Sequence, residues 1–278
     1  MLFRNARTPI LAISQPAHAW ISGQLLRAWA TPLDEHLLLA AEQHDIGWLD
    51  WETVPTFDLA TGRPHLFRDV GAATHAPMWA RGVDRACAAW GRRVALLVSR
   101  HGTTIYTRFT TRHHLGADDT AAIHHYLQTQ GALQAEWTRA LALDQATLDH
   151  DTDLIALSDT LSLALCGELD VPLVLDAPIL DAPILDAPIL DAPILDAPIL
   201  DAPVPEALGR VGAMAGLTVG RRGEDFTLAP WPLRPPTLTV EAEARALPSA
   251  GRFPDAAAMQ AWHAAAATIP LRIRLIPG

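Results

Sequence analysis

Residues 176–200 read Asp-Ala-Pro-Ile-Leu five times over, and Asp201-Ala202-Pro203-Val204 closes the run. A proline in every unit forbids a helix through this stretch, and a central strand as well, because proline lacks the N–H that both ladders need. The near-identity of the units is that of a recent tandem expansion rather than of a tuned core. Residues 171–205 are therefore read as an extended or disordered low-complexity insertion. Its Ile-Leu pairs leave a partner or self-association motif open. The repeat splits the chain into residues 1–170 and 206–278, and each part has to be read for itself.

Residues 1–170 are dominated by helical periodicity. After a possible short strand over Thr8–Ser14, Gln15-Pro16 opens a helix on which His18, Ile21, Leu25 and Trp29 share one stripe. Thr31-Pro32 breaks it. The next helix is His36-Leu-Leu-Leu-Ala-Ala-Glu-Gln-His44-Asp45-Ile46-Gly47, whose glycine marks the expected end. Further helices are expected around Ala76–Trp90, Val94–Arg100, Asp118–Ala142 and Asp153–Cys166. Trp48–Phe67 reads as an aromatic, proline-rich loop. Residues 206–278 read as a small α+β tail: a hairpin over Leu217–Gly220 and Asp225–Leu228, strands over Thr237–Ala244 and Pro270–Ile276, and a short helix from Asp255. The expected fold class is mainly α, a helical bundle with a small C-terminal α+β sheet element packed on it.

Charge and composition remove several function classes. The formal net charge is -10, the wrong sign for a nucleic-acid polymer as partner. All 21 basic residues are arginine, a genome-composition effect rather than a phosphate-binding signature. No apolar run is long enough to cross a membrane, and no secretory signal opens the chain, so a cytoplasmic location is the default expectation. Two cysteines, Cys87 and Cys166, are too few for a disulfide framework or a cysteine-ligated zinc site. Oligomeric state is not legible.

The chemistry-bearing residues are polar groups set in apolar surroundings. His44-Asp45 ends a buried helix, where an unpaired imidazole and carboxylate are costly and a metal ion would use both. Adjacent helical residues point about 100° apart, so further ligands must come from other helices. His18 lies on the inner stripe of its own helix. Asp159 sits between Leu157 and Leu161. His101 follows the apolar run Ala95–Val98, and His75 precedes a helix. Arg100, beside His101, has the planar fork that grips phosphate. His36, His65, His113-His114, His124-His125, His150 and His263 read as surface residues.

The ordered set His…His-Asp…Asp on successive helices resembles the HD-domain superfamily of metal-dependent phosphohydrolases. His44-Asp45-Ile46-Gly47 is similar to that superfamily's central helix, and Ser158-Asp159-Thr160-Leu161 to its last ligand helix. Gln15-Pro16-Ala17-His18-Ala19, Gln43–Trp48 and Ser99-Arg100-His101-Gly102 also resemble an uncharacterised bacterial family of unknown function. The HD resemblance implies His18, His44, Asp45 and Asp159 as ligands of one ion. It implies His75 and His101 as ligands of a second where two are bound. Asp45 and Arg100 are the candidate catalytic residues, Asp45 as a ligand that also steers the water. One departure stands out: Trp48 occupies the place after the glycine where HD enzymes commonly carry lysine. The implied cofactor is one or two divalent transition metals, from Mn, Fe, Co, Ni or Zn. The implied function is hydrolysis of a small phosphorylated substrate, with a non-catalytic ligand-binding or regulatory module as the alternative.

Overall fold

The computed structural model of the chain describes residues 1–5, 9–109, 116–167, 173–175 and 217–278. The Asp-Ala-Pro-Ile-Leu run and the His113-His114 pair lie outside the described residues. The chain opens with two three-residue strands, β1 (Leu2–Arg4) and β2 (Leu11–Ile13). Helices α1 (Gln15–Arg27), α2 (Glu35–Gln43) and α3 (Leu49–Thr53) follow, then the small hairpin β3 (Phe57–Asp58) and β4 (Arg63–Pro64). Helices α4 (Ala72–Trp90), α5 (Arg92–Thr104), α6 (Ala117–Ala140) and α7 (Gln145–Gly167) complete the helical layer. The remaining elements are β5 (Leu173–Leu175), β6 (Leu217–Arg222), β7 (Asp225–Ala229), β8 (Leu238–Ala246), α8 (Ala256–Ala265) and β9 (Thr268–Pro277).

Seven of the strands form one mixed sheet in the order β1-β2-β8-β9-β7-β6-β5. All neighbours are antiparallel except β7 and β9. This corrects the expected mainly α fold with a small C-terminal sheet element. The sheet is a full layer, its far edge is built from the N-terminal strands, and the fold is α+β. The reason is physical. β1 and β2 are too short to show a period of two, and β2 pairs with β8 through contacts such as Ile13 opposite Ala244, which no local pattern announces.

The sheet has one dry face. Val240, Ala242 and Ala244 of β8 are buried while Glu241 and Glu243 are exposed, and on β9 Leu271, Ile273 and Leu275 alternate with exposed Arg272 and Arg274. The dry face shares one core with the helices: Ile13, Ile21, Leu97, Leu154, Leu161, Phe226 and Ile273 belong to it. α1 lies on β8, and the Gln24 amide fixes it there by donating to Glu241 O (2.7 Å) and accepting from Glu241 N–H (2.9 Å). α7 is buried almost all round from Asp151 to Ser162, as a central helix must be. Gly23 lets α1 and α2 touch, since a Cβ there would collide with Glu42 Cγ.

Candidate metal centre

The local structure sets the phase of each helix, and the phase aims the side chains. Ser14 caps α1, its hydroxyl oxygen accepting from Ala17 N–H at 3.2 Å, with Pro16 in the first turn. That phase buries His18 completely. Asp34 caps α2 by accepting from His36 N–H. The sequence pattern carries this helix through His44-Asp45 to Gly47, but α2 ends at Gln43. Asp45 has φ -104° and ψ 18° and leads into a 3-10 turn over Ile46–Trp48. The break matters, because outside a helix neighbouring residues need not diverge by 100°. His44 Nε2 and Asp45 Oδ2 stand 3.8 Å apart and face the same point.

Hydrogen bonds assign the nitrogens. His44 Nδ1 donates to Ala41 O (2.8 Å), so Nε2 is the nitrogen left to take a proton or a metal ion. That nitrogen is buried without a hydrogen-bond partner, 3.4 Å from Asp159 Oδ1 but misaligned for a bond. The Ser162 hydroxyl donates to Asp159 O (2.8 Å), so its oxygen accepts from His18 Nδ1–H, also at 2.8 Å. Ser22 backs Ser162 at 3.0 Å. His18 Nε2 then turns its lone pair on Asp45 Oδ2, only 2.9 Å away. Two lone pairs at that distance repel unless a cation, a proton or a metal ion, lies between them.

His101 of α5 closes the cluster. Its Nε2 is 3.8 Å from Asp159 Oδ2, its ring centroid is 4.5 Å from that of His44, and its Nδ1 is buried and unpartnered. Ligand atoms of His18, His44 and Asp159 lie within 4.8 Å of one another, and so do those of His44, Asp45 and His101. His44 has one free nitrogen and belongs to both groups, so the five residues converge on one place. Imidazole nitrogens and carboxylate oxygens without thiolate fit a divalent transition ion. The serine behind His18 and the carbonyl behind His44 are the outer partners that orient such ligands.

Without an ion the cluster holds its charge through protons. Burial disfavours the His44 imidazolium, but the Asp45 and Asp159 carboxylates outweigh burial and raise its pKa to about 9. Burial alone would raise Asp45, yet His44 and His18 bring it well below the usual carboxylate range. Asp159 is lowered in the same way, chiefly by His44. Burial and the neighbouring His44 push His101 down to about 4. Strongly shifted groups gathered in one buried spot make this the candidate site.

A family model described as "Protein of unknown function (DUF3891)" matches residues 1–249. The chain belongs to the DUF3891 family. No curated protein and no solved structure matches it. The matched span of this DUF3891 chain contains all five converging residues.

Of the residues singled out in the sequence, His18, His44, Asp45, His101 and Asp159 come together. His75 and Arg100 do not join them. His75 stands in an aromatic box, with Nδ1 2.6 Å from Tyr106 Oη. Arg100 donates to Thr152 Oγ1 (2.8 Å) and to Asp149 Oδ1 (2.5 Å), so a phosphate would compete with Asp149 for it. His263, expected at the surface, lies on the buried side of α8. Ser162, Ser22 and Tyr106 were missed. Ser162 had a visible signal, a hydroxyl three residues beyond Asp159 and set between Leu161 and Leu163.

Proposed function

We propose that this chain is a metal-dependent phosphohydrolase acting on a small phosphate ester or nucleotide, on an HD-like arrangement of ligands. The observation that carries the reading is the convergence of His18, His44, Asp45, His101 and Asp159, with the Nε2 atoms of His18 and His44 turned toward carboxylates in a buried place. One shared His44 nitrogen favours a single ion. When bound, an ion of the Mn, Fe, Co, Ni or Zn kind would supply Lewis acidity toward a phosphoryl oxygen and a coordinated water of lowered pKa.

The chain's own residues supply position and charge. Ser162 holds His18 in one tautomer, and Ala41 O does the same for His44. Asp45 and Asp159 are ionised at neutral pH, so their two negative charges balance a divalent ion. Asp45 Oδ2 is turned to His18. Its Oδ1 makes no hydrogen bond among the described residues and is the acceptor left to orient a water. Phosphoryl transfer asks little more of a protein than positioning and electrostatic stabilisation.

Arg100 bonded to Asp149, and buried Trp48 where HD enzymes carry lysine, favour a second reading, a binding or regulatory module on the same scaffold. Turnover decides between them. Metal-loaded protein is assayed against a panel of phosphomonoesters and nucleotides beside Asp45→Ala. Release of phosphate that Asp45→Ala abolishes supports hydrolysis; loaded protein that binds but never turns over rules it out.

A further inference from the structure

His75 is the one sequence-expected ligand that the fold equips for another task. It lies in the first turn of α4, whose N-terminal Ala73 N–H donates to Asp119 Oδ1 (2.7 Å). Its ring stacks on Tyr106 at 14°, with Trp79 and Trp48 at centroid distances of 5.1 and 6.0 Å. Tyr106 is placed there by a π-helical turn, Ile105–Phe109, that continues α5 beyond His101, and such turns recur at functional sites.

The contact between Tyr106 Oη and His75 Nδ1 is short, 2.6 Å. A phenol O–H is a far stronger acid than a neutral imidazole N–H, so the phenol donates. Nδ1 is then the acceptor and Nε2 carries the hydrogen, which leaves no lone pair for a metal. Burial takes the pKa of His75 down to about 4 against the charges of Asp119 and Asp45, so the ring is neutral at ordinary pH. Burial raises Tyr106 as well, so the phenol keeps its proton. His75 is only half-buried, and its Nε2 has no partner among the described residues.

A phosphoryl group needs hydrogen-bond donors as well as charge. The chain has no lysine. Arg100 is bonded to Asp149 and Arg108 to Asp153 (3.1 Å). Among the described residues no ion pair links an arginine to Asp45 or Asp159.

We propose that His75 is a binding residue rather than a metal ligand: held in one tautomer by Tyr106 and in ring contact with Trp48, three residues beyond Asp45, its Nε2–H donates to an oxyanion seated at the His18–His44–Asp45–His101–Asp159 cluster. The assignment rests on the metal-centre reading above. Tetrahedral oxyanions of the phosphate class are the ligands it would take.

Two measurements test it. Long-range proton–nitrogen NMR of the metal-free protein should show His75 as the Nε2–H tautomer, with the preference relaxed in Tyr106→Phe. A wild-type Nδ1–H tautomer overturns the proposal. Metal-loaded protein is then titrated with inorganic phosphate. His75→Ala should keep the wild-type metal content and bind phosphate at least about tenfold more weakly, the loss expected for one hydrogen bond to a charged group. His75→Gln, which restores an N–H donor near the Nε2 position, should recover part of that loss. Metal lost from both His75→Ala and His75→Gln, or phosphate binding equal in wild type and variants, overturns the proposal. A wild type that takes no metal instead overturns the phosphohydrolase reading, and this inference with it.

Discussion

Gly47 is a tight backbone-to-backbone contact between the candidate site and its scaffold. It lies two residues beyond Asp45, in the turn that crosses α4. A Cβ at Gly47 would sit 2.6 Å from Met78 O, 3.0 Å from Met78 C and 3.1 Å from Trp79 Cα. Gly82 sees the same crossing from the other side, where an added Cβ would sit 2.8 Å from Gly47 N. All of these are backbone atoms, so no rotamer change relieves the clash. Ordinary contact begins near 3.4 Å, and Gly47→Ala therefore forces the turn and α4 apart by about 0.8 Å, against the 0.5 Å or so that a binding constellation tolerates. Overpacking costs about 1–3 kcal/mol, and a contact between two backbones belongs at the upper end. At about 2–4 °C per kcal/mol for a chain of this size, the melting temperature should fall by about 5–10 °C. Because Asp45 moves with the turn, metal content at limiting free metal should fall too. Thermal melts of chelated protein give the first quantity and elemental analysis the second. An unchanged melting temperature together with unchanged metal content would refute the close-packing account.

Ser162→Ala removes the acceptor that fixes the His18 tautomer and should weaken metal binding by about 10–100-fold, measured by competition with a chromogenic chelator. Acidity should act in opposite directions on the two forms. His44 holds its proton more tightly folded, about 9 against 6.5 unfolded, so in metal-free protein that contribution is complete below pH 6.5 and is lost as pH rises through about 9. Melts of chelated protein should show the loss across that window. Metal affinity should rise by about tenfold per pH unit over the same window for one displaced proton; a flat profile would mean that His44 is not a ligand. Free metal at a hundred times its dissociation constant should stabilise the fold by about 2.7 kcal/mol, visible as a raised melting temperature that chelator reverses.

Much of the helical layer was legible because it rests on local signals. Ser14-Gln15-Pro16 starts α1 and the His18 stripe gives its buried face, while Asp159 between leucines marked α7 as a helix with a buried charge. Legibility stopped where neighbours distant in sequence decide. The three residues of β1 carry no period, and their place in the sheet depends on β2 and β8. The break of α2 at Gln43 is not in the leucine pattern, which runs on unbroken, yet it lets His44 and Asp45 face one point. His75 and His101 read alike in the sequence, each a histidine beside a helical run. Only the position of Tyr106, carried by a π-helical turn, separates them.

The central claim, that the five converging residues hold a metal ion, is tested most directly by elemental analysis. Wild-type protein purified without chelator is compared with Asp45→Ala, each also after incubation with Mn, Fe, Co, Ni and Zn. The account predicts close to one equivalent of a transition metal in wild type and its loss in Asp45→Ala. No metal in wild type under any of these conditions, or equal metal in both proteins, would contradict it.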